Sequence, residues 1–189
     1  MLFGTLTGLA IVVALAASYS ASSARGLKPC PPPGSNAVNF SAYYLGDAFR
    51  GLPLTKTLRV CNKLYPPEPV RGNYISFIYG DCVPGSDGGC APPVEVQSGP
   101  ACERRLSARN RRRARTHKVR GVPALRFPGE PQLELFTGDA AVLIFGRTTA
   151  QVRKVAAALR SIPGSKVSVP ADARLPKPLR GALNGKLRC

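Results

Sequence analysis

The sequence predicts an α+β fold: a small, mostly antiparallel sheet with one or two packing helices, supported by disulfides and ending in a disordered C-terminal tail. Three observations lead there. Runs at 73–80 and 132–136 alternate apolar with polar residues and are bounded by Gly, Pro and Asp, as half-buried strands joined by turns are. Val152, Val155, Leu159 and Ile162 recur at helical spacing after a Thr-Thr pair. Six cysteines stand in 189 residues, and an apolar content of 44% permits an ordinary core.

In chain order, residues 2–17 are apolar or small and uncharged, and small residues continue to Ala24. The stretch is long for a signal-peptide core and short for a membrane span of about 20 residues. Residues 1–24 are read as an export signal or uncleaved signal anchor, although no Lys or Arg precedes the apolar run. The body is then translocated, and the cysteines fit an oxidising compartment. Residues 25–37, RGLKPCPPPGSNA, are too rich in Pro and Gly for regular structure and form a linker. A single domain over 38–162 opens with extended segments at Tyr43–Leu45 and Leu54–Cys61 around a turn at Gly46-Asp47. Pro66, Pro67 and Pro69 then make a loop.

The stretch from Tyr74 to Cys102 holds three of the six cysteines. Along its first strand Ile75, Phe77 and Tyr79 face one way, and Tyr74, Ser76 and Ile78 the other. Cys82 and Cys90 bracket VPGSDGG, which is turn chemistry throughout because Pro presets φ and Gly permits φ > 0. A Cys82–Cys90 disulfide would close this loop. C-x7-C with one histidine in the whole chain does not match zinc spacing. Cys61–Cys102 is the second expected bridge. Cys189 is left to pair with Cys30, to pair between chains or to stay free. A short strand at Pro93–Gln97 places Val94 and Val96 on one face.

From Pro100 a helix is expected, with Ser98 as N-cap, Glu103 in its first turn, and Cys102 and Leu106 on its inward face. The run from Arg104 to Arg120 carries nine Arg or Lys, His117 and no acidic residue. It is polar on every helical face, which reads as solvated helix or loop. Like charges at Arg105/Arg109 and Arg109/Arg113 disfavour an isolated helix.

The second unit reads more plainly. Val122–Phe127 is a strand, PGEP a turn, and Gln132–Phe136 a strand with Leu133 and Leu135 on one face. Thr137-Gly138-Asp139 makes a hairpin turn. Ala140–Phe145, AAVLIF, is apolar on both faces and belongs at the centre of a sheet. A helix follows over about 149–161, capped by Thr148 or Thr149 and stopped by Pro163-Gly164. Residues 73–116 and 122–161 thus share a pattern of strands, hairpin and helix, a degenerate repeat. Residues 163–189, with four Pro and six basic residues, read as the disordered tail.

No catalytic constellation stands out. Nucleophilic hydrolysis needs an oriented base, and His117, the one histidine, stands among arginines. G-x-S-x-G, the P-loop, G-x-G-x-x-G and C-x-x-C do not occur. The carboxylates at Asp81/Asp87 and Glu130/Glu134 read as turn formers or ion-pair partners. The chain is expected to be non-enzymatic, with no catalytic residue, metal or cofactor.

Charge is the strongest functional signal. The net charge is +17, and 19 of the 27 basic residues are Arg. Such a chain attracts polyanions through counterion release. The candidate contacts are Arg104, Arg105, Arg109, Arg111, Arg112, Arg113, Arg115, Lys118 and Arg120. The expected partner is an anionic envelope polymer or lipid head group, with membrane contact through the N-terminal segment. A nucleic-acid-binding role is the alternative, and the lack of aromatics within the run weighs against single-strand stacking.

YYLG…GLPL (43–54), ISFIYGDC…GGCAPPVEVQ…PACER (75–104) and GVPAL…LELFTG…VLIFG (121–146) together resemble uncharacterised exported or membrane-anchored proteins of high-GC actinobacteria. The resemblance spans roughly residues 40–162. It implies a small α+β domain behind an export signal or anchor, and it carries over no functional residue. The composite expectation is a secreted or membrane-anchored cell-envelope protein that binds or builds through its basic surface.

Overall fold

The computed structural model describes residues 38–65, 70–84, 90–104, 112–165 and 167–189. The signal or anchor of 1–24, the linker and the loop at Pro66, Pro67 and Pro69 lie outside them. The chain opens with β1 (Tyr43–Tyr44) and β2 (Ala48–Phe49), followed by the long strands β3 (Leu52–Tyr65) and β4 (Val70–Tyr79). A ribbon of β5 (Val83–Pro84) and β6 (Cys90–Ala91) leads into β7 (Val94–Pro100). Then come β8 (Arg115–Val119), β9 (Val122–Arg126), β10 (Gln132–Thr137) and β11 (Ala140–Gly146), helix α1 (Thr149–Ala158) and β12 (Arg160–Ser161). Eight strands form one antiparallel sheet in the order β2-β3-β4-β7-β11-β10-β9-β8, and β1 pairs with β12 apart from it. The fold is α+β and mostly antiparallel, with α1 the one packing helix among the described residues.

That order sets two four-stranded meanders back to back, each ending on a central strand, β7 or β11. In strand order β2-β3-β4-β7 corresponds to β8-β9-β10-β11, each running from an edge to the centre of the sheet. Each meander starts on a two-residue Arg-Gly turn with φ positive at both residues, 50° and 81° at Arg50-Gly51 and 50° and 87° at Arg120-Gly121. Positive φ at both central residues is the type I′ geometry whose twist matches the strands it joins. Each turn is followed by an apolar residue and Pro, Leu52-Pro53 and Val122-Pro123.

Strand alternation builds the main core. Ile75, Phe77, Tyr79, Val94, Val96, Val142 and Ile144 point to one side of the sheet and are buried. Val152, Val155 and Ala156 of α1 cover them, together with Phe40, Tyr43 and Leu45. Each large apolar side chain so buried contributes roughly 1.5–3 kcal/mol. AAVLIF lies centrally, between β7 and β10. Thr148 caps α1, its Oγ1 accepting the Gln151 N–H at 3.1 Å. On the other side Ala101, Leu125, Phe127, Phe136, Ala141 and Ala182 form a second, smaller cluster.

Several expectations are corrected. Ser98 is a buried strand residue rather than a helix cap: β7 continues to Pro100, and Ser98 Oγ accepts the Tyr43 N–H at 3.0 Å. The helix expected from Pro100 does not start there: 101–103 form a turn, and Leu106 lies outside the described residues. α1 ends at Ala158, because the chain leaves it at Leu159 to form β12. Cys102 is bonded to Cys189, not to Cys61. Cys61 and Cys82 are disulfide-bonded as well. The Cys82–Cys90 pairing involves a side chain outside those described.

Among its described residues the 163–189 segment has no helix or strand of its own. It is nonetheless docked, with Val169 and Leu175 in the main core and Ala182 in the second cluster. Backbone bonds hold it at Leu175 N to Arg120 O, 3.1 Å, and Leu179 N to Gly138 O, 2.9 Å.

Candidate anion-binding surface

The described part of the basic run changes along its length: Arg112 and Arg113 are helical, and Arg115–Val119 is β8. The type I′ turn at Arg120-Gly121 folds it back onto β9 as an edge strand, with register Val119↔Val122, His117↔Ala124 and Arg115↔Arg126. This divides the candidate contacts into two kinds. Arg112, Arg113, Arg115 and Lys118 are exposed. Arg104 and Arg120, at the ends of the run, are turned inward and hold the structure together. Arg105, Arg109 and Arg111 lie outside the described residues.

Arg104 reaches Glu134, whose side chain is 0% exposed, with Nε at 2.7 Å and Nη2 at 3.0 Å. Burial works against the guanidinium's charge, but the hydrogen bond and the attraction of Glu134 outweigh it and hold its pKa above the ordinary arginine value. Arg120 donates to the carbonyls of Ala157 (3.3 Å) and Leu159 at the end of α1, and to those of Ala173 and Pro170 (2.9 Å). A cation is favoured there by the helix dipole. Desolvation lowers its pKa.

The β8 edge is uncompensated. Among the described residues none of Arg112, Arg113, Arg115, Lys118 or Arg126 is ion-paired. Glu130, in the turn that follows β9, is exposed and also unpaired. Alternation places Arg115, His117 and Arg126 on one face of the β8–β9 hairpin, the face that continues into the main core at Val119 and Val122. Arg126 was not a sequence candidate, since a lone arginine closing an apolar strand reads as a strand end. Its Nε and the Nε2 of His117 are buried without a hydrogen-bond partner among the described residues.

A cleft of about 370 Å³ lies on the opposite side of the sheet, over β4, β7 and β11. Its polar wall is already paired. Glu103 accepts the backbone N–H of Asn73 at 2.9 Å and its Nδ2–H at 2.6 Å, and Arg104 is held by Glu134. With Glu103 taken up by Asn73 and Arg104 by Glu134, the cleft does not extend the basic surface. Among the described residues no group of three or more His, Cys, Asp or Glu is placed to hold a metal ion. Among them, no helix is long and apolar enough to cross a membrane.

Comparison with known protein families, with curated proteins and with solved structures finds no match for this chain.

Proposed function

We propose that this chain is an exported, disulfide-stapled recognition domain of the cell envelope, tethered or released, that holds an anionic polymer along its β8 edge and is not an enzyme. One observation carries the reading: Arg112 and Arg113 just ahead of β8, and Arg115 and Lys118 on it, are all exposed, and among the described residues no carboxylate is paired to them. An edge strand needs some charge to deter self-pairing. Four uncompensated cations within seven residues also make a surface that concentrates polyanions. The disulfides accord with an oxidising compartment, and the resemblance to exported proteins points the same way.

The test is retention on immobilised heparin of the chain carrying Arg112→Gln, Arg113→Gln and Lys118→Gln. Elution is expected at clearly lower salt. The slope of log affinity against log salt should fall by roughly 0.7–0.9 for each contact removed. Unchanged elution, with the fold intact by circular dichroism, sinks the reading. Stronger retention by duplex DNA than by heparin at equal salt, lost in the same variant, would move the nucleic-acid alternative ahead.

A further inference from the structure

We infer that the shared face of Arg115, His117 and Arg126 is a phosphoryl-binding subsite, a reading that rests on the polyanion role above and names the group gripped. Two features of the free protein are unfavourable on their own. Arg115 and Arg126 stand directly opposite each other across an antiparallel pair, an arrangement that is destabilising for like charges. Arg126 Nε and His117 Nε2 are buried without partners among the described residues, and such orphaned groups cost free energy. Of the three buried side-chain polar atoms in this condition among the described residues, two lie in this one cluster, the third being Ser165 Oγ.

A single event relieves both: an oxyanion entering beside the exposed Arg115. It offsets the paired cations and supplies acceptors to the Nε–H of Arg126 and to His117 in its Nε2–H tautomer. A cation is repelled, and a neutral ligand leaves the two guanidiniums opposed. A carboxylate offers two oxygens in one plane, whereas three nitrogen-bearing side chains on two strands suit the several oxygens of a tetrahedral phosphoryl group. Arginine forks match that group in bidentate fashion. The hairpin is the outermost of the sheet, so a phosphodiester of a longer polymer or a lipid head group can reach it, with Arg112 and Arg113 exposed nearby for flanking charges.

The experiment follows backbone amides of the oxidised, isotope-labelled chain by NMR during titration with inorganic phosphate, then with acetate at equal ionic strength. Saturable shifts at residues 115–117 and 124–126 are expected with phosphate, and weaker ones with acetate. Arg126→Gln should weaken phosphate binding at least about tenfold, as loss of a charge-assisted contact does. The same substitution should raise the thermal midpoint, because it removes the like-charge opposition; a merely structural Arg126 would lower it. Polyphosphate and phosphatidylglycerol vesicles, used as competitors for the phosphate shifts, tell a soluble polymer from a bilayer, and competition by either supports the site. Absence of saturable phosphate shifts while wild-type heparin retention persists overturns the subsite alone. Loss of both overturns the subsite and the polyanion reading together.

Discussion

Glu134 carries a carboxylate into a fully buried position, and the fork of Arg104 meets it at 2.7 and 3.0 Å. A buried ion pair is weak as a source of stability but severe when broken, since one charge is left without compensation. Arg104→Met should therefore destabilise by about 3–5 kcal/mol, while Arg104→Met combined with Glu134→Leu should come back close to wild type. Urea midpoints of the two singles and the double decide this, and simply additive losses would refute it. Tyr79 makes a second prediction at this scale. Burial is the main cause that pushes its phenol up to about 12, although its oxygen accepts the Leu45 N–H at 2.8 Å. Tyr43 moves in the same direction, again chiefly through burial. The folded state thus favours the neutral phenol. Its contribution is complete below the ordinary tyrosine pKa of about 10 and is lost as pH rises through about 12. Stability should fall across that window, and Tyr79→Phe should flatten part of the fall while costing about 1–3 kcal/mol at neutral pH through the orphaned Leu45 N–H. Stability independent of pH from about 10 to 12 would contradict this assignment.

Among the elements, what sequence reasoning could see followed from how local the signal is. β10, β11 and α1 were legible because each carries its own: alternation around Leu133 and Leu135, an apolar run, a stripe from Val152 to Ile162 behind a threonine cap. β8 was not, because RTHKV has no apolar alternation and its residues are mostly exposed. It is a strand only because β9 is beside it. The turn was nonetheless written in the chain twice, as Arg-Gly followed by an apolar residue and Pro, at 50–53 and at 120–123. Taking Arg120-Gly121 as a two-residue turn pairs Val119 with Val122 and, by counting outward, Arg115 with Arg126. The candidate subsite was derivable from that one inference. Ser98 failed for the opposite reason. A cap signal ahead of Glu103 was local and correct in form, but the central position of β7 between β4 and β11 holds the chain extended to Pro100.

At the scale of the whole molecule, the C-terminal segment is what closes the structure. Its proline and charge content predicts disorder, and its described residues form no helix or strand, yet it is packed against both faces of the sheet. Val169 and Leu175 join the core under α1. The chain then passes the β10–β11 turn, where Gly138 donates to Pro176 O at 3.2 Å and accepts from Leu179 N at 2.9 Å. It continues to the other face, where Ala182 and Leu187 pack on the second cluster. Cys189 is anchored there to Cys102, 87 positions earlier. Composition could not reveal this, because the apolar residues are few and widely spaced, and their docking depends on a bond closed at the far end. No other cysteine lies between the two, so the bridge constrains the full loop. The chain-entropy treatment assigns such a loop about 4.5 kcal/mol. Cys189→Ser should lower stability by up to that amount and, below the global transition, release the segment beyond Leu179. Trypsin would then cut first at Arg180, Lys186 and Arg188, all exposed, while the sheet stayed intact. Peptide mapping over a short digestion distinguishes the outcomes. First cuts at these sites in the variant and not in the oxidised wild type mean that the bridge holds a strap closed. The same early cuts in both proteins mean that the apolar docking and the Gly138 bonds never secured it.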